Sequence, residues 1–499
     1  MKPTVMEPAV MEPAVMEPAA MEPAAMEPAV VVCADEPRID VEGAVAVKGL
    51  CDSPEQLAHE GIEADRMVLL FHEKRYDLAA VQKSLRSMGI DPLGTQILEV
   101  PSSSDPYDAS LPLVGLLARA SAYAGSEPEH AKPAVRGEVT RRGLFRLPQP
   151  VYLSAPMIDH DVCAAADGCR ACVDVCPQEA YRWHQGRVHF NKDICEPCGR
   201  CVAACPTEAI TNPAATPRML KAQIEALLGR TDNPVGVRFV CSRADRLGQD
   251  AGWHDVEVTC SGMVPGTWLV SALLMGAAAV ALPGCSTSGC PLALDIHSTT
   301  AVDFARSALE AAGLDTDRVR TQPLGDPGPA PIAQLHLDAP FTRAGDVATM
   351  LGLSELAEGT LELTHEGTSH GLVAINPETC TLCAKCAQTC PTGAIEAGYD
   401  GATITLSFAA AACTNCNQCT IVCPEILRGA ITVSSTVDTA LLTSGRLTVN
   451  QGTVLVCESC GKPIAPSSMM NRIGELLGDG FDDTMSYLTR RCLDCRGLT

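Results

Sequence analysis

Most of the 26 cysteines in this 499-residue chain fall into four short runs, and each run ends in Cys-Pro. Three runs repeat the pattern C-x2-C-x2-C-x3-C-P, while the first opens with a longer loop, Cys163-x5-Cys169. Three thiolates on so tight a loop can bind one face of an iron-sulfur cubane, so the fourth ligand must come from elsewhere in the chain. The proline turns the backbone away and stops a helix from continuing. The runs therefore predict four [4Fe-4S] clusters.

The runs form two blocks, and the fourth cysteine of each run is expected to serve the other run of its block. In the first block the predicted ligand sets are Cys163, Cys169, Cys172 with Cys205, and Cys195, Cys198, Cys201 with Cys176. In the second block they are Cys380, Cys383, Cys386 with Cys423, and Cys413, Cys416, Cys419 with Cys390. Zinc knuckles explain the runs less well, because zinc sites use pairs of ligands. Disulfides would need wider spacing and a secretory signal, which is not recognisable here.

At these runs the chain resembles the two-cluster bacterial ferredoxins. The resemblance implies two small ferredoxin domains of α+β type, over residues 153–213 and 372–435. The longer Cys163 loop is the one departure from the ferredoxin spacing. A cluster on that loop could leave an iron atom open to a substrate.

A further set of cysteines lies between the two blocks, at Cys241, Cys260, Cys285 and Cys290. The first three follow short apolar runs, so parallel strands would bring their thiols to one edge of a sheet. Four thiolates can hold a [2Fe-2S] centre; zinc on the same thiols, or buried structural thiols, are the alternatives. Residues 233–325 resemble the delta (iron-sulfur) subunit of methyl-viologen-reducing hydrogenase, including the Cys-Ser-Gly-Met turn. The resemblance implies a [2Fe-2S] cluster on these four cysteines.

Residues 266–284 carry no charge and reach the length of about 18 apolar residues that marks a candidate membrane span. A spanning helix would place Cys260 and Cys285 on opposite sides of a bilayer. We therefore predict a buried αβ unit instead, with a helix over Trp268 to Met275, a break at Gly276 and a strand to Leu282. No transmembrane span is expected.

The N-terminal region begins with six pentapeptides of the MEPAV type over residues 1–30, which predict an extended, disordered tail. Residues 31–123 alternate apolar runs with helical patterns and predict an α/β domain with a parallel sheet. This stretch resembles a shortened N-terminal domain of the HdrA-type component of heterodisulfide reductase. Cys33 and Cys51 match cysteines of that family, and Phe71-His72 replaces another. A purely structural domain is preferred to a metal or redox role for Cys33, Cys51 and His72.

The C-terminal module, residues 451–499, carries two C-x2-C pairs separated by a helical stretch. This arrangement predicts a zinc-ribbon-like site on Cys457, Cys460, Cys492 and Cys495. An additional iron site or free thiols are the alternatives. Residues 124–152 are rich in Pro, Gly and charge and are predicted to be a linker. Residues 326–371 are Pro- and Gly-rich at first and are predicted to be a second linker, with one short helix-like piece near MLGLSELAEG.

The length of 499 residues indicates a multidomain protein. The patterns and resemblances above imply domains of α/β and small α+β type. We expect Rossmann-like α/β domains that alternate with the two ferredoxin-like domains. Clustered cysteines indicate a reducing compartment, so we expect a cytoplasmic protein. Aromatic residues make up only 4% of the chain, so the ferredoxin blocks should depend on metal to fold. The net charge of -23 disfavours nucleic acid and anionic membranes and favours a partner with a basic patch.

No motif for a nucleotide or flavin and no catalytic triad is legible in the sequence. The pattern therefore predicts the electron-transfer subunit of an oxidoreductase complex, built as a hetero-oligomer. Expected partners are a hydrogenase, a formate dehydrogenase or a heterodisulfide reductase-like enzyme, and soluble ferredoxin. The alternatives are a self-sufficient iron-sulfur reductase and a redox-sensing or scaffold protein.

Overall fold

The computed structural model describes residues 27–35, 41–72, 76–100, 109–126, 131–134, 151–244, 252–284, 292, 295–322, 325–478 and 490–496. Residues 1–26 of the predicted tail lie outside these ranges. So do most of the predicted linker at residues 124–152, and both Cys285 and Cys290.

The first domain is a four-stranded parallel sheet with a helix on each face. Its strands are β1 (Ala29–Cys33), β2 (Val45–Val47), β3 (Met67–His72) and β4 (Gln96–Val100), in the order β2-β1-β3-β4. Its helices are α1 (Leu78–Ser87) and α2 (Ser110–Ser121). Leu69 and Phe71 face α1, whereas Val68 and Leu70 face α2. Burial on both faces explains why β3 is an unbroken apolar run rather than an alternating one.

The first ferredoxin block, together with strand β5 in the segment that was predicted to be a linker, consists of short hairpins and single-turn helices. Its elements are β5 (Ala131–Ala134), β6 (Val151–Ser154), β7 (Met157–Ile158), α3 (Ala171–Val175), β8 (Tyr181–His184), β9 (Arg187–Phe190), α4 (Arg200–Ala204) and β10 (Ile210–Thr211). The pairs β5/β6, β7/β10 and β8/β9 are all antiparallel. Much of its small core is sulfur, because Cys172, Cys195, Cys201 and Cys205 are buried in it.

The middle domain repeats the parallel order of the first. Its elements are α5 (Pro217–Leu228), β11 (Gly236–Cys241), β12 (Trp253–Val258), α6 (Gly266–Met275), β13 (Ala279–Ala281), α7 (Asp295–Ala311) and β14 (Val319–Arg320). The sheet order is β12-β11-β13-β14. The predicted helix, break and strand are confirmed, because α6 stops at Gly276, which has φ of 122°. In the part of the chain that the structure describes, no helix has the length and apolarity needed to cross a membrane.

Residues 326–371 differ from the predicted linker. They contain α8 (Arg343–Leu356) and β15 (Glu362–Thr364). Phe341 and Leu353 are fully buried, and the Phe341 ring meets the edge of Trp268 at 5.7 Å between centroids. The helix-like piece predicted near MLGLSELAEG is present as the C-terminal part of α8, but the helix begins earlier than predicted, packs on α6 and closes the middle core.

The second ferredoxin block continues into the C-terminal module through one sheet. The elements are β16 (Leu372–Ile375), α9 (Lys385–Gln388), β17 (Ile395–Asp400), β18 (Thr403–Ala409), α10 (Gln418–Ile421), β19 (Ile431–Ser434), β20 (Thr436–Asp438), α11 (Thr439–Thr443), β21 (Arg446–Val456), β22 (Pro463–Pro466) and α12 (Ser467–Leu477). The order β17-β18-β21-β22 joins the two parts. The module therefore has no boundary at residue 451, which lies inside β21.

Candidate iron-sulfur and metal centres

We number the four predicted cluster sets by their order through the molecule. Site 1 is Cys195, Cys198, Cys201 and Cys176; site 2 is Cys163, Cys169, Cys172 and Cys205; site 3 is Cys413, Cys416, Cys419 and Cys390; site 4 is Cys380, Cys383, Cys386 and Cys423.

Site 1 combines a loop and helix α4 with a cysteine from the preceding run. Burial and the neighbouring Cys198 and Cys176 sulfurs raise the pKa of the Cys201 thiol to about 12, while a hydrogen bond from Tyr181 offsets part of the increase. The hydroxyl of Tyr181 donates a hydrogen bond to Cys201 Sγ at 3.3 Å. No role for Tyr181 was predicted from the sequence. The only available indication was that the chain has few aromatic residues and that one of them lies inside a cysteine block. Hydrogen bonds to ligand sulfur tune the potential of a bound cluster.

In site 2, the longer loop between Cys163 and Cys169 folds into a single helical turn. Residues Ala164–Asp167 form a 3-10 helix that ends at Gly168, which has φ of 96°. This turn takes up the additional residues between Cys163 and Cys169. Burial, with smaller contributions from the neighbouring cysteines Cys169, Cys205, Cys201 and Cys163, raises the pKa of Cys172 to about 12. The structure thus brings together the cysteines that the sequence grouped.

Sites 3 and 4 show the same grouping in the second block. Burial raises the pKa of Cys413 to about 11, with contributions from neighbouring Cys416 and Cys390. Burial likewise raises the pKa of Cys386 to about 12, with contributions from the other three cysteines of site 4. Those four cysteines line one small cavity.

Left-handed backbone conformations are concentrated in the cysteine loops of the second block. Leu382, Ala384, Asn415 and Asn417 all have φ between 53° and 59°. Such conformations are costly for residues with side chains and persist where the surroundings fix them. In the first of these loops the backbone N–H of Leu382 donates to Cys380 Sγ at 3.4 Å.

The cysteine sets fit [4Fe-4S] clusters. Four sulfurs converge in each, one from the partner run, and the raised pKa values of Cys172, Cys201, Cys386 and Cys413 mean that these free thiols hold protons at neutral pH. Iron would displace those protons and neutralise the buried thiolates, which is how metal binding contributes to folding. The residues present would therefore hold cubanes, and each would supply single-electron exchange when bound.

The middle pair, Cys241 and Cys260, lies at the carboxyl edge of the middle sheet. Cys241 ends β11 and Cys260 follows β12. A hydrogen bond from the Cys260 thiol lowers the pKa of Cys241 to about 6. Their two predicted partners, Cys285 and Cys290, fall outside the described residues.

The sites follow one another in an unbroken row. Cys198 of site 1 packs against Cys260 of the middle pair. Cys201 of site 1 is near enough to Cys172 of site 2 for its charge to raise the pKa of Cys172. In the same way, Cys416 of site 3 contributes to the raised pKa of Cys169 of site 2, and Cys386 of site 4 contributes to that of Cys419 of site 3.

The junction between site 1 and the middle domain is tightly packed. Gly199, between Cys198 and Cys201, has φ of 70°, and a Cβ there would lie 2.7 Å from Met263 Cβ. An ion pair of 2.9 Å between Glu196 and Arg243 crosses the same junction. Sequence reasoning assigned no role to these residues, because only the tertiary fold brings them together.

Replacing Gly199 by alanine should destabilise this junction. The left-handed backbone costs about 1–2 kcal/mol for any side chain, and the clash with Met263 should add about 1–3 kcal/mol. Gly429→Ala is a matched control, since Gly429 has φ of 69° and no atom within 4 Å of an added Cβ. The measurement is the urea concentration at which half of the visible iron-sulfur absorbance is lost. We expect Gly199→Ala to lower this concentration more than Gly429→Ala does. Equal shifts would show that the contact with Met263 is unimportant.

The C-terminal cysteines form a compact group. The Sγ atoms of Cys457, Cys460, Cys492 and Cys495 all lie within 4.8 Å of one another, and Cys460 and Cys492 are 3.5 Å apart. Zinc–sulfur bonds of about 2.3 Å would give sulfur–sulfur edges of about 3.8 Å in a tetrahedral site. An ion pair of 2.9 Å between Lys462 and Asp494 ties the two pairs together. The four thiols therefore fit a single tetrahedral metal ion.

Comparison with known families identifies three segments. Residues 166–209 and 379–427 each match the 4Fe-4S dicluster domain, and residues 241–336 match the methyl-viologen-reducing hydrogenase, delta subunit. The ferredoxin and delta-subunit resemblances predicted from the sequence are thereby confirmed.

Individual relatives are ferredoxins. A ferredoxin of Methanothermococcus thermolithotrophicus is 42% identical over 55 residues, which are 11% of this chain and 90% of the relative. A 7Fe ferredoxin of Hydrogenibacillus schlegelii is 33% identical over 55 residues, 11% of this chain and 70% of the relative. An uncharacterized ferredoxin of Methanocaldococcus jannaschii is 44% identical over 48 residues, 10% of this chain; the match spans only 26% of that relative.

Proposed function

The chain belongs to the ferredoxin family, through two 4Fe-4S dicluster domains that flank a hydrogenase delta-subunit domain, and on this basis we propose that it relays electrons within an oxidoreductase complex. The observation that carries the proposal is the unbroken row from the middle pair through sites 1 to 4. Four [4Fe-4S] clusters in the row, and a [2Fe-2S] cluster on the middle cysteines, complete the proposed relay.

Residues around site 1 would shield its cluster from water and stabilise the charge on its sulfur atoms. Cys195, Cys198 and Cys201 are each no more than 8% exposed, so the start of the row is shielded from water. Tyr181 and the backbone N–H of Ala180, which donates to Cys176 Sγ at 3.3 Å, stabilise negative charge on sulfur at site 1. Hydrogen bonds of this kind raise the reduction potential of a bound cluster and so favour reduction of the cluster at site 1.

The row approaches the surface at site 4. Cys423 is only partly buried, and Ile421 and Leu427 beside it are 66% and 99% exposed. An apolar surface beside a redox site is suited to contact with another protein. We place the docking of a catalytic partner there, and the middle domain at the other end would face a second partner. The partner classes are a hydrogenase, a formate dehydrogenase or a heterodisulfide reductase-like enzyme.

Charge gives this proposal a direct test. The net charge of -23 should steer a cationic one-electron acceptor toward the chain. After anaerobic reduction and rapid mixing, transfer to a cationic haem protein should slow as ionic strength rises, because salt screens the attraction. Transfer to a small uncharged acceptor serves as the control and should not change. A chain that passes no electrons to either acceptor, or that reduces a disulfide substrate catalytically by itself, would contradict the proposal.

A further inference from the structure

Three potential metal ligands meet in the first domain, away from the row of cluster sites. The ligand atoms of Cys33, Cys51 and His72 all lie within 4.8 Å of one another. The three residues are 0%, 2% and 5% exposed, respectively. His72 Nε2 is buried and has no hydrogen-bond partner among the described residues. A buried ring nitrogen without a partner is costly, and a ligand would remove that cost.

The position of the group in the sheet is one that binds ligands in other α/β folds. Cys33 ends β1 and His72 ends β3, which is the next strand in the sheet order β2-β1-β3-β4. The chain leaves β1 toward one edge of the sheet and leaves β3 toward the other. Ligands in open α/β sheets bind where connections diverge in this way, beyond the carboxyl ends of the strands.

The middle domain places cysteines at equivalent positions. Its sheet has the same order, with Cys241 at the end of its first strand and Cys260 just after its second. Cys33 and Cys51 stand at the corresponding places in the first domain. The chain thus directs paired thiols to the same sheet edge twice, and only the first domain supplies a histidine from its third strand.

The chemistry of the group favours one metal ion over a cluster. Two sulfurs and one imidazole are a ligand set that zinc accepts. A cubane would need four ligands in the grouped spacing of sites 1 to 4. The backbone N–H of His72 donates to Cys51 Sγ at 3.4 Å, and this contact stabilises a thiolate there. Next to Cys33 lies the carboxylate of Asp35, 3.4 Å from Cys33 Sγ and held by the backbone N–H of Gly49 at 2.7 Å.

We infer that Cys33 Sγ, Cys51 Sγ and His72 Nε2 bind a single divalent metal ion of the zinc class. Binding displaces the two thiol protons and gives the orphaned nitrogen a partner. The ion joins the ends of β1 and β3 to the segment after β2. The site is separate from the C-terminal four-cysteine group and from the electron-transfer row.

Zinc X-ray absorption together with zinc quantitation of the full chain tests this inference. In the Cys460→Ser background, which breaks the C-terminal group, the remaining zinc should show mixed sulfur and imidazole scattering. His72→Asn and Cys51→Ser in the otherwise unchanged chain should each lose about one zinc per chain relative to the parent. His254→Asn is the control, since His254 is a partly buried histidine on β12 and should lose none.

The absorption measurement on the unsubstituted chain needs no variant, so the test holds even if a substitution unfolds the first domain. Zinc scattering from sulfur alone, with equal zinc in parent and variants, would overturn the inference. A disulfide between Cys33 and Cys51 in anaerobically isolated protein would overturn it as well, because the thiols would then be unavailable to metal.

Discussion

Replacing Cys198 by alanine is expected to lower the iron content by about four atoms per chain and to isolate the middle domain from the other sites. Cys198 belongs to site 1 and packs directly against Cys260. Site 1 is the only one of the four sites with this contact among the described residues. Its loss should leave a gap in the row between the middle pair and site 2.

The control for this prediction is Cys383→Ala. Cys383 belongs to site 4, at the far end of the row, so this variant should also lose about four iron atoms. It should nevertheless leave the path from the middle pair to site 3 intact. Rapid-freeze EPR after partial reduction measures how fast electrons redistribute between the middle domain and the cubanes. We expect slow redistribution only in Cys198→Ala. Equal rates in the two variants would show that electrons do not follow the row.

Removing the iron should unfold the first ferredoxin block while the first domain remains folded. The core of the first block is built largely from cysteines, with few large apolar side chains. Metal binding contributes about 10–16 kcal/mol to the folding of small zinc-dependent domains, and we expect a dependence of the same order here. The first domain, in contrast, buries Val31, Leu69 and Phe71 in an apolar core of its own.

Limited proteolysis of the full chain before and after anaerobic treatment with an iron-selective chelator measures this difference. Cleavage should appear within residues 153–213 after iron removal, with a parallel loss of far-ultraviolet circular dichroism. The sheet formed by β1 to β4 serves as the internal control and should stay protected. Equal protection of the first ferredoxin block before and after iron removal would contradict the prediction.

The local features of the molecule were predictable from sequence because they depend on neighbouring residues. The C-x2-C-x2-C spacing determines which thiols share a loop, and the unit from α6 to β13 follows from an apolar run broken by Gly276. The start of α5 has a local cause of the same kind, because the Thr216 side chain accepts a hydrogen bond from the N–H of Met219 and Pro217 follows at the first helical position. Each of these features depends on residues that lie close together in the sequence, within about one helix or strand.

The arrangement of the sites could not be read in the same way, because it depends on contacts between distant segments. Arg343 illustrates this point: its backbone N–H donates to Glu208 at 2.8 Å, and its guanidinium bonds the carbonyl of Ala203. These contacts fix α8 against the first block, next to the second. Nothing in the residues flanking Arg343 indicates such a partner. The same reasoning applies to β21, whose pairing with β18 makes the C-terminal module part of the second block.

The most direct test of the proposed relay is the iron and acid-labile sulfide content of the full chain isolated without oxygen. Four cubanes require about 16 iron and 16 sulfide per chain, and a [2Fe-2S] centre would raise each by about two. We predict values in that range, with EPR signals from more than one reduced cubane. Iron and sulfide far below this level, with zinc in their place, would contradict the relay.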